Sequence, residues 1–309
     1  RDGEFPVKGY SISSQLHAVP ACQSIIKKAM VERMKAHYGL EQFPEDGVKY
    51  QVRFSLFKDE AMICLDSSGE GLYKRGYRAV GVEAPLRETL AAAMVTLSRF
   101  RGRDPFCDPF CGSGTLLIEA AQKAMNIAPG LKRRFAAERY SFVPAAVWAE
   151  QRQKALAESK LDVGFEAFGY DIDPAAVALA NANAKLAGVE KRCHFEVADV
   201  ADFAAKQEAI VLTNPPYGER MSTIEGAAKL ARTLGRQMEA NPCAGVYAIT
   251  ADMDFEAHYG KRANKRRKMY NGMIPCQLYM YYNAPKFEHT AKPMPKSGFD
   301  GKRRFDKKD

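Results

Sequence analysis

The sequence predicts an α/β protein: a doubly wound, mostly parallel sheet of seven strands ending in an antiparallel hairpin, preceded by a partial α+β unit. Three observations predict it. Between about Pro105 and Thr250, short apolar runs alternate with segments of helical period, the pattern of strand–helix–strand crossovers. The last two strand-like runs, Arg266–Asn271 and Cys276–Tyr282, are joined by Gly272-Met-Ile-Pro275, which is too short for a crossover helix, so they must pair antiparallel. The first 65 residues follow a different order: strand, helix, then two strands around a tight turn.

In that first unit, Phe5–Ser13 reads as a strand. Ala21–Tyr38 follows as a helix, with apolar residues at Ile25, Ile26, Ala29, Met30 and Met34 and a stop at Gly39. Val48–Phe57 alternates like a half-buried strand, Lys58-Asp-Glu60 turns, and Ala61–Asp66 returns. The unit is too small to stand alone comfortably. The chain also begins without methionine in what reads as mid-strand, so a portion upstream is expected.

Residues 67–83 read as a polar connector rich in glycine, arginine and tyrosine, and Pro85–Phe100 as a long helix. Then come strand Pro105–Asp108, helix Thr115–Ala124, strand Phe165–Asp171, helix Pro174–Ala187 and strand His194–Val197. Strand Ala209–Thr213, helix Thr223–Ala240 and strand Gly245–Thr250 follow, and Asn126–Leu161 reads as a helical excursion. The expected domains are 1–66, a connector 67–83, the α/β domain 84–285, and a flexible basic tail 286–309 with eight Lys/Arg against four Asp/Glu.

Composition narrows the function classes. Lys and Arg outnumber Asp and Glu 46 to 37, and the resulting charge of +9 favours a polyanionic partner, nucleic acid first. The runs Lys261–Lys268 and Lys302-Arg-Arg304 could touch phosphates or simply be solvated loops. No apolar stretch is long enough to span a membrane, and Arg1-Asp-Gly-Glu-Phe-Pro6 lacks a signal-peptide core. Seven cysteines without a CxxC pair argue against structural zinc and for a reducing compartment, so the expected location is cytoplasmic and no metal is expected.

Asp108-Pro-Phe-Cys-Gly-Ser-Gly-Thr115 follows a short strand and opens a helix, the setting of a nucleotide-binding glycine loop. No Gly-Lys-Ser/Thr follows, and the third glycine of a dinucleotide fingerprint is missing. An adenosyl ligand without a pyrophosphate therefore fits, and S-adenosylmethionine is the expected cofactor. Gly112 and Gly114 permit the tight turn, Cys111 and Thr115 belong to the same loop, and Asp108 can accept from the ligand ammonium. Asp171, at the end of the second strand with Ile172 beside it, is placed to hold the ribose, with Asp173 read as the cap of the next helix. It lies 63 positions after Asp108, where a dinucleotide fold expects about 20 after its glycine loop, and the excursion accounts for the excess. Asp199 and the Val200 amide, after the third strand, suit the adenine.

Asn214-Pro-Pro-Tyr217 is the candidate catalytic motif, just outside the fourth strand where ligands bind in open α/β sheets. The lone pair of an exocyclic base amine is conjugated into its ring. If the Asn214 side-chain oxygen and the Pro215 carbonyl accept its two hydrogens, the nitrogen can pyramidalise toward a methyl donor. Pro216 stiffens the turn, and Tyr217 can stack on the base. Such catalysis is positioning with electrostatic stabilisation, and it suits a flipped or single-stranded nucleotide. Adenine, cytosine, guanine and a glutamine amide all remain possible acceptors at this point.

With these motifs in order, the chain resembles bacterial THUMP-domain RNA methyltransferases, in particular the large-subunit rRNA guanine-N2 group. The resemblance rests on Gly71–Arg78, Ala84–Ala91, Asp108–Thr115, Gly169–Asp173 and Asn214–Arg220, and covers about Ser11 to Tyr282. It implies a class I methyltransferase sheet, and a C-terminal part of a THUMP RNA-binding module at residues 1–66 whose ferredoxin-like part lies upstream. It implies methylation of guanine N2 in RNA, 23S rRNA before tRNA, with Gly218-Glu-Arg220 similar to the guanine-N2 members. Thr89 is carried over as a contact to the methionine end of the cofactor. An N6-adenine enzyme, a glutamine methyltransferase and a noncatalytic ribosome-assembly factor stand as alternatives.

Overall fold

The computed structural model describes residues 2–78, 86–217 and 224–282. The tail 286–309, the Gly218-Glu-Arg220 extension, Pro85 and the end of the connector lie outside these.

The first unit is a three-stranded sheet, β1 (Val7–Ile12), β2 (Val52–Phe57) and β3 (Glu60–Leu65), with α1 (Val19–Tyr38) between β1 and β2 in the chain. β1 pairs parallel with β2, so α1 is a crossover helix. The alternation of β2 points Val52, Phe54 and Leu56 inward, where Phe54 and Leu56 pack with Cys22 of α1. Lys58 and Asp59 adopt positive φ in the two-residue turn to β3. β2 is shorter than the predicted Val48–Phe57: Lys49 makes an isolated parallel bridge with Glu4, and Pro6, which has no N–H to donate, separates that bridge from the ladder.

The second unit carries a seven-stranded sheet of order β6-β5-β4-β7-β8-β10-β9. Its strands are β4 (Phe106–Asp108), β5 (Ala167–Asp171), β6 (Cys193–Val197), β7 (Ile210–Thr213), β8 (Gly245–Thr250), β9 (Lys265–Asn271) and β10 (Ile274–Tyr282). All neighbours are parallel except β10, which runs antiparallel to both β8 and β9. The predicted sheet and terminal hairpin are therefore present.

Helices α2 (Glu88–Leu97), α3 (Thr115–Ala124), α4 (Ala145–Ala157), α5 (Pro174–Ala187), α6 (Ile224–Ala240) and α7 (Phe255–Tyr259) complete it. α2 is shorter than predicted. Arg99 takes positive φ and turns Phe100 into the core, against Phe106 and Phe165. The five-residue α7 is too short for a hydrophobic period to announce it.

The polar connector is a strap, exposed over most of its length, whose last residues dock on the second unit. Tyr77 is 1% exposed and donates to Glu119 of α3 at 3.0 Å. Arg75 pairs with Glu119 at 3.5 Å and Arg78 with Glu88 of α2 at 2.6 Å. The excursion, of which only α4 and a 3-10 turn at Ala136–Arg139 are helical, closes over the strap. Buried Arg133 donates to the carbonyls of Gly71, Ser68 and Glu70 at 2.9, 3.1 and 2.6 Å. Tyr140 donates to Asp66 O and Ala137 N to Ser67 O, so the insertion between β4 and β5 fastens the first unit to the second.

Candidate active site

A cavity of about 280 Å³ opens at the carboxyl ends of β4, β5, β6 and β7. Parallel register puts these ends side by side: Phe106 pairs with Ile210 and Ala167, and Asp171 with Val197. Among the residues singled out in the sequence, Asp108, Cys111, Gly112, Thr115, Asp171, Ile172, Asp199, Val200, Asn214 and Pro216 line it. Gly114, Pro215, Tyr217 and Thr89 do not, and Thr89 lies on the exposed side of the first turn of α2. Leu86, just before that helix, lines the cavity instead.

The glycine loop is held from three sides. The Cys111 amide donates to Tyr170 O at 2.8 Å, Asn183 of α5 donates to Ser113 O at 3.0 Å, and the Gly112 amide donates to Asp171 Oδ2 at 2.9 Å. Gly112 (φ +49°) would carry any Cβ into open space on the cavity side, so its backbone can be approached closely. Gly114 (φ +77°) has a packing role, since a Cβ there would sit 2.9 Å from Phe195. Burial pushes the Cys111 thiol well above the ordinary range, so it acts as an apolar wall.

Two acids face the same space with different environments. Asp108 is 1% exposed, and its Oδ1 accepts from the Thr213 hydroxyl at 2.6 Å and the Phe110 amide at 3.0 Å. Burial pushes its carboxyl up to about 7; the two hydrogen bonds oppose the shift and the charge of Asp171 adds to it. Asp171 accepts from Gly112 N on one oxygen and Asp173 N on the other at 3.0 Å, leaving each oxygen a lone pair for a ligand hydroxyl. Asp173 caps α5 by accepting from Ala175 N, and exposed Asp199 accepts from Ala201 N.

Asn214 lines the cavity, and its Oδ1 is buried and has no hydrogen-bond donor among the described residues. A buried acceptor without a partner costs about 1–3 kcal/mol, which a ligand N–H would relieve. Tyr217 packs its ring against the core, and its hydroxyl accepts from Asn271 at 3.1 Å and Cys276 at 3.5 Å, both on the β9–β10 hairpin. The predicted stacking residue is thus anchored to the sheet edge. Thr213, Asn183 and Asn271 were not foreseen. Thr213 could have been, because it ends the strand beside β4 and so meets Asp108.

Among the described residues no helix is long and apolar enough to cross a membrane, and no three His, Cys, Asp or Glu side chains group as metal ligands.

Comparison with known proteins agrees with this geometry. Residues 1–66 match the THUMP domain, and residues 75–280 match UPF0020, described as the RMKL-like methyltransferase domain. YpsC of Bacillus subtilis (strain 168), provisionally named an RNA methyltransferase, is 41% identical over 91% of this chain and 74% of its own length. The ribosomal RNA large subunit methyltransferase K/L of Vibrio parahaemolyticus is 38% identical over 78% of this chain, which spans only 35% of that larger protein. Among solved structures, SMU.472, provisionally called a methyltransferase and determined with S-adenosylhomocysteine, superposes with a TM-score of 0.84 at 36% identity, covering 92% of this chain and 76% of that one. A predicted N6-adenine-specific DNA methylase from Listeria monocytogenes superposes at 0.85 with 41% identity, covering 92% and 74%. The sheet is that of a class I methyltransferase, and the chain belongs to the RMKL-like methyltransferase-domain family.

Proposed function

We propose that this chain transfers a methyl group from S-adenosylmethionine to the exocyclic N2 amine of a guanine in RNA, with 23S rRNA the first candidate and the bacterial cytoplasm the place. The observation that carries the amine chemistry is the buried Oδ1 of Asn214, a residue that lines the cavity and whose oxygen has no partner among the described residues. The cavity fits the donor: Gly112 leaves room for close approach, and the two acids suit a ligand with an ammonium at one end and ribose hydroxyls in the middle. Asp108 would hold the ammonium, Asp171 the ribose, and Asp199, Val200 and Ile172 the adenine. When bound, S-adenosylmethionine supplies an electrophilic sulfonium methyl.

Asn214 Oδ1 accepts one amine hydrogen and the Pro215 carbonyl the other, which draws the nitrogen lone pair out of conjugation. Pro215 and Pro216 hold these acceptors still, and Tyr217, fixed by Asn271 and Cys276, braces the turn from behind. Positioning and electrostatics supply the rate. The RNA assignment is supported by the N-terminal THUMP match, the charge of +9 and the names of the relatives.

Asn214→Ala should reduce methyl transfer by at least about 100-fold, the scale of losing one preorganised hydrogen-bonding group, with cofactor affinity changed less than about twofold. Retained turnover would remove the amine-holding role. Nucleoside mass spectrometry of rRNA and tRNA from a deletion strain tests the base: loss of N2-methylguanosine is expected, and loss of N6-methyladenosine instead would replace guanine by adenine.

A further inference from the structure

Against the cofactor cavity lies a second, larger hollow of about 950 Å³, walled by the strap, the start of α2 and residues 132–139 of the excursion. Eight of its lining residues are Lys or Arg and two are Glu. Three of the cations are committed to the fold: Arg75 to Glu119, Arg78 to Glu88, and Arg133 to three strap carbonyls. At the rim the situation differs. Arg139 is exposed, and its side chain has no bonded partner among the described residues. Exposed Arg87 lies over the ring of Tyr73, its guanidinium carbon 4.9 Å from the ring centre. Lys74 makes an exposed i,i+4 pair with Glu70, which contributes little and exchanges readily, and the guanidinium of Arg134, paired with Glu138, is itself exposed.

We propose that this groove binds the backbone of single-stranded RNA next to the nucleotide presented to Asn214, with Arg87 and Arg139 on phosphates and the Tyr73–Arg87 pair as a platform for a base. The inference rests on the methyltransferase reading above and extends it to the path of the substrate. An excess of uncommitted cations around one hollow repels itself unless an anion enters, and cations combined with an aromatic face are what single-strand binders use. Continuity supplies the rest. Leu86 lines the cofactor cavity and the next residue, Arg87, lines the groove. Arg78 stands between them, donating to Leu86 O at 2.6 Å and the Thr115 hydroxyl at 3.1 Å. The groove also runs along Ser68 and Gly69, where the N-terminal unit joins.

The test compares wild type with Arg87→Glu/Arg139→Glu and with a control of equal charge change on the exposed face of α6, Lys229→Glu/Arg232→Glu. Binding of a fluorescein-labelled 20-nucleotide single-stranded RNA is followed by anisotropy from 50 to 250 mM salt, with S-adenosylhomocysteine affinity measured in parallel. The groove variant should bind RNA about tenfold more weakly, and its log Kd against log salt slope should fall by about 1.4, near 0.7 for each lost phosphate contact. The control and the cofactor affinity should stay within about twofold. Unchanged RNA affinity in the groove variant, an equal loss in the control, or no binding by wild type would overturn the groove. Should the double variant melt early, Arg139→Ala breaks no side-chain bond among the described residues and carries the test, with an expected loss of about threefold. Methyl transfer by wild type with groove-independent binding refutes the groove alone. Groove-dependent binding without methyl transfer refutes the catalytic reading alone.

Discussion

Cofactor affinity should depend on pH through a single buried carboxyl. On the reading proposed above Asp108 holds the ammonium of the ligand, and burial pushes its carboxyl up to about 7. If binding needs its ionised form, the observed Kd is the limiting value multiplied by one plus ten to the power of pKa minus pH. With a pKa near 7, binding at pH 6 is about elevenfold weaker than the limit, at pH 7 about twofold, and at pH 8 within about 10%. No histidine lines the cavity among the described residues, so no other group with an ordinary pKa in that window contributes there.

Isothermal titration with S-adenosylhomocysteine between pH 5.5 and 8 measures the curve. Asp108→Asn should bind more weakly at pH 8 and show no break. Thr213→Val, by removing the hydroxyl that helps hold the charge, should move the break upward. A flat wild-type profile, or a break that persists in Asp108→Asn, refutes the coupling. The sign for stability is opposite. A carboxyl whose folded pKa is raised favours the folded state only while protonated, so its contribution is lost as pH rises from about 4 to about 7. Asp108→Asn should therefore stabilise the ligand-free protein at pH 8, by about 2–4 kcal/mol if burial dominates.

Two further outcomes follow from the geometry. Asp171→Ala should weaken S-adenosylhomocysteine by more than about tenfold, because it removes the clamp on the Gly112 amide and, on the proposed reading, the ribose acceptor; titration calorimetry checks this, and wild-type affinity would reassign the ribose contact. Arg133→Ala strands the carbonyls of Ser68, Glu70 and Gly71 and should cost about 3 kcal/mol, read as a lower denaturation midpoint with an unchanged slope; a loss under about 0.5 kcal/mol would show that the strap is held by other contacts.

Much of the fold was legible because its signals are local. Five apolar runs alternating with helical segments, and two more separated by only four residues, dictate a parallel sheet closed by a hairpin. The glycine loop and the Asn214 turn could be located since each follows an apolar run directly. What escaped depends on partners far along the chain. The parallel pairing of β1 with β2 cannot be told from its sequence, since the run suits either direction. The docking of the strap could not be read from Arg75, Tyr77 and Arg78 alone, which are polar by type. Tyr77 is buried and the two arginines half-buried because Glu119 and Glu88, on two different helices, accept from Tyr77 and pair with the guanidinium groups. Tyr217 shows the same limit: its hydroxyl partners, Asn271 and Cys276, are more than 50 residues away.

The insertion between β4 and β5 has one more consequence. It grows from the two strands that carry Asp108 and Asp171, and the same segment clasps the chain leaving the N-terminal unit. The part that would recognise RNA and the part that would hold the methyl donor are therefore riveted to a common pair of strands. On the reading proposed above the protein works as a caliper. Its fixed jaw is the pair of strands under the cavity, and Arg133, Ala137 and Tyr140 are the contacts that would have to break before the chain leaving the first unit could move against it.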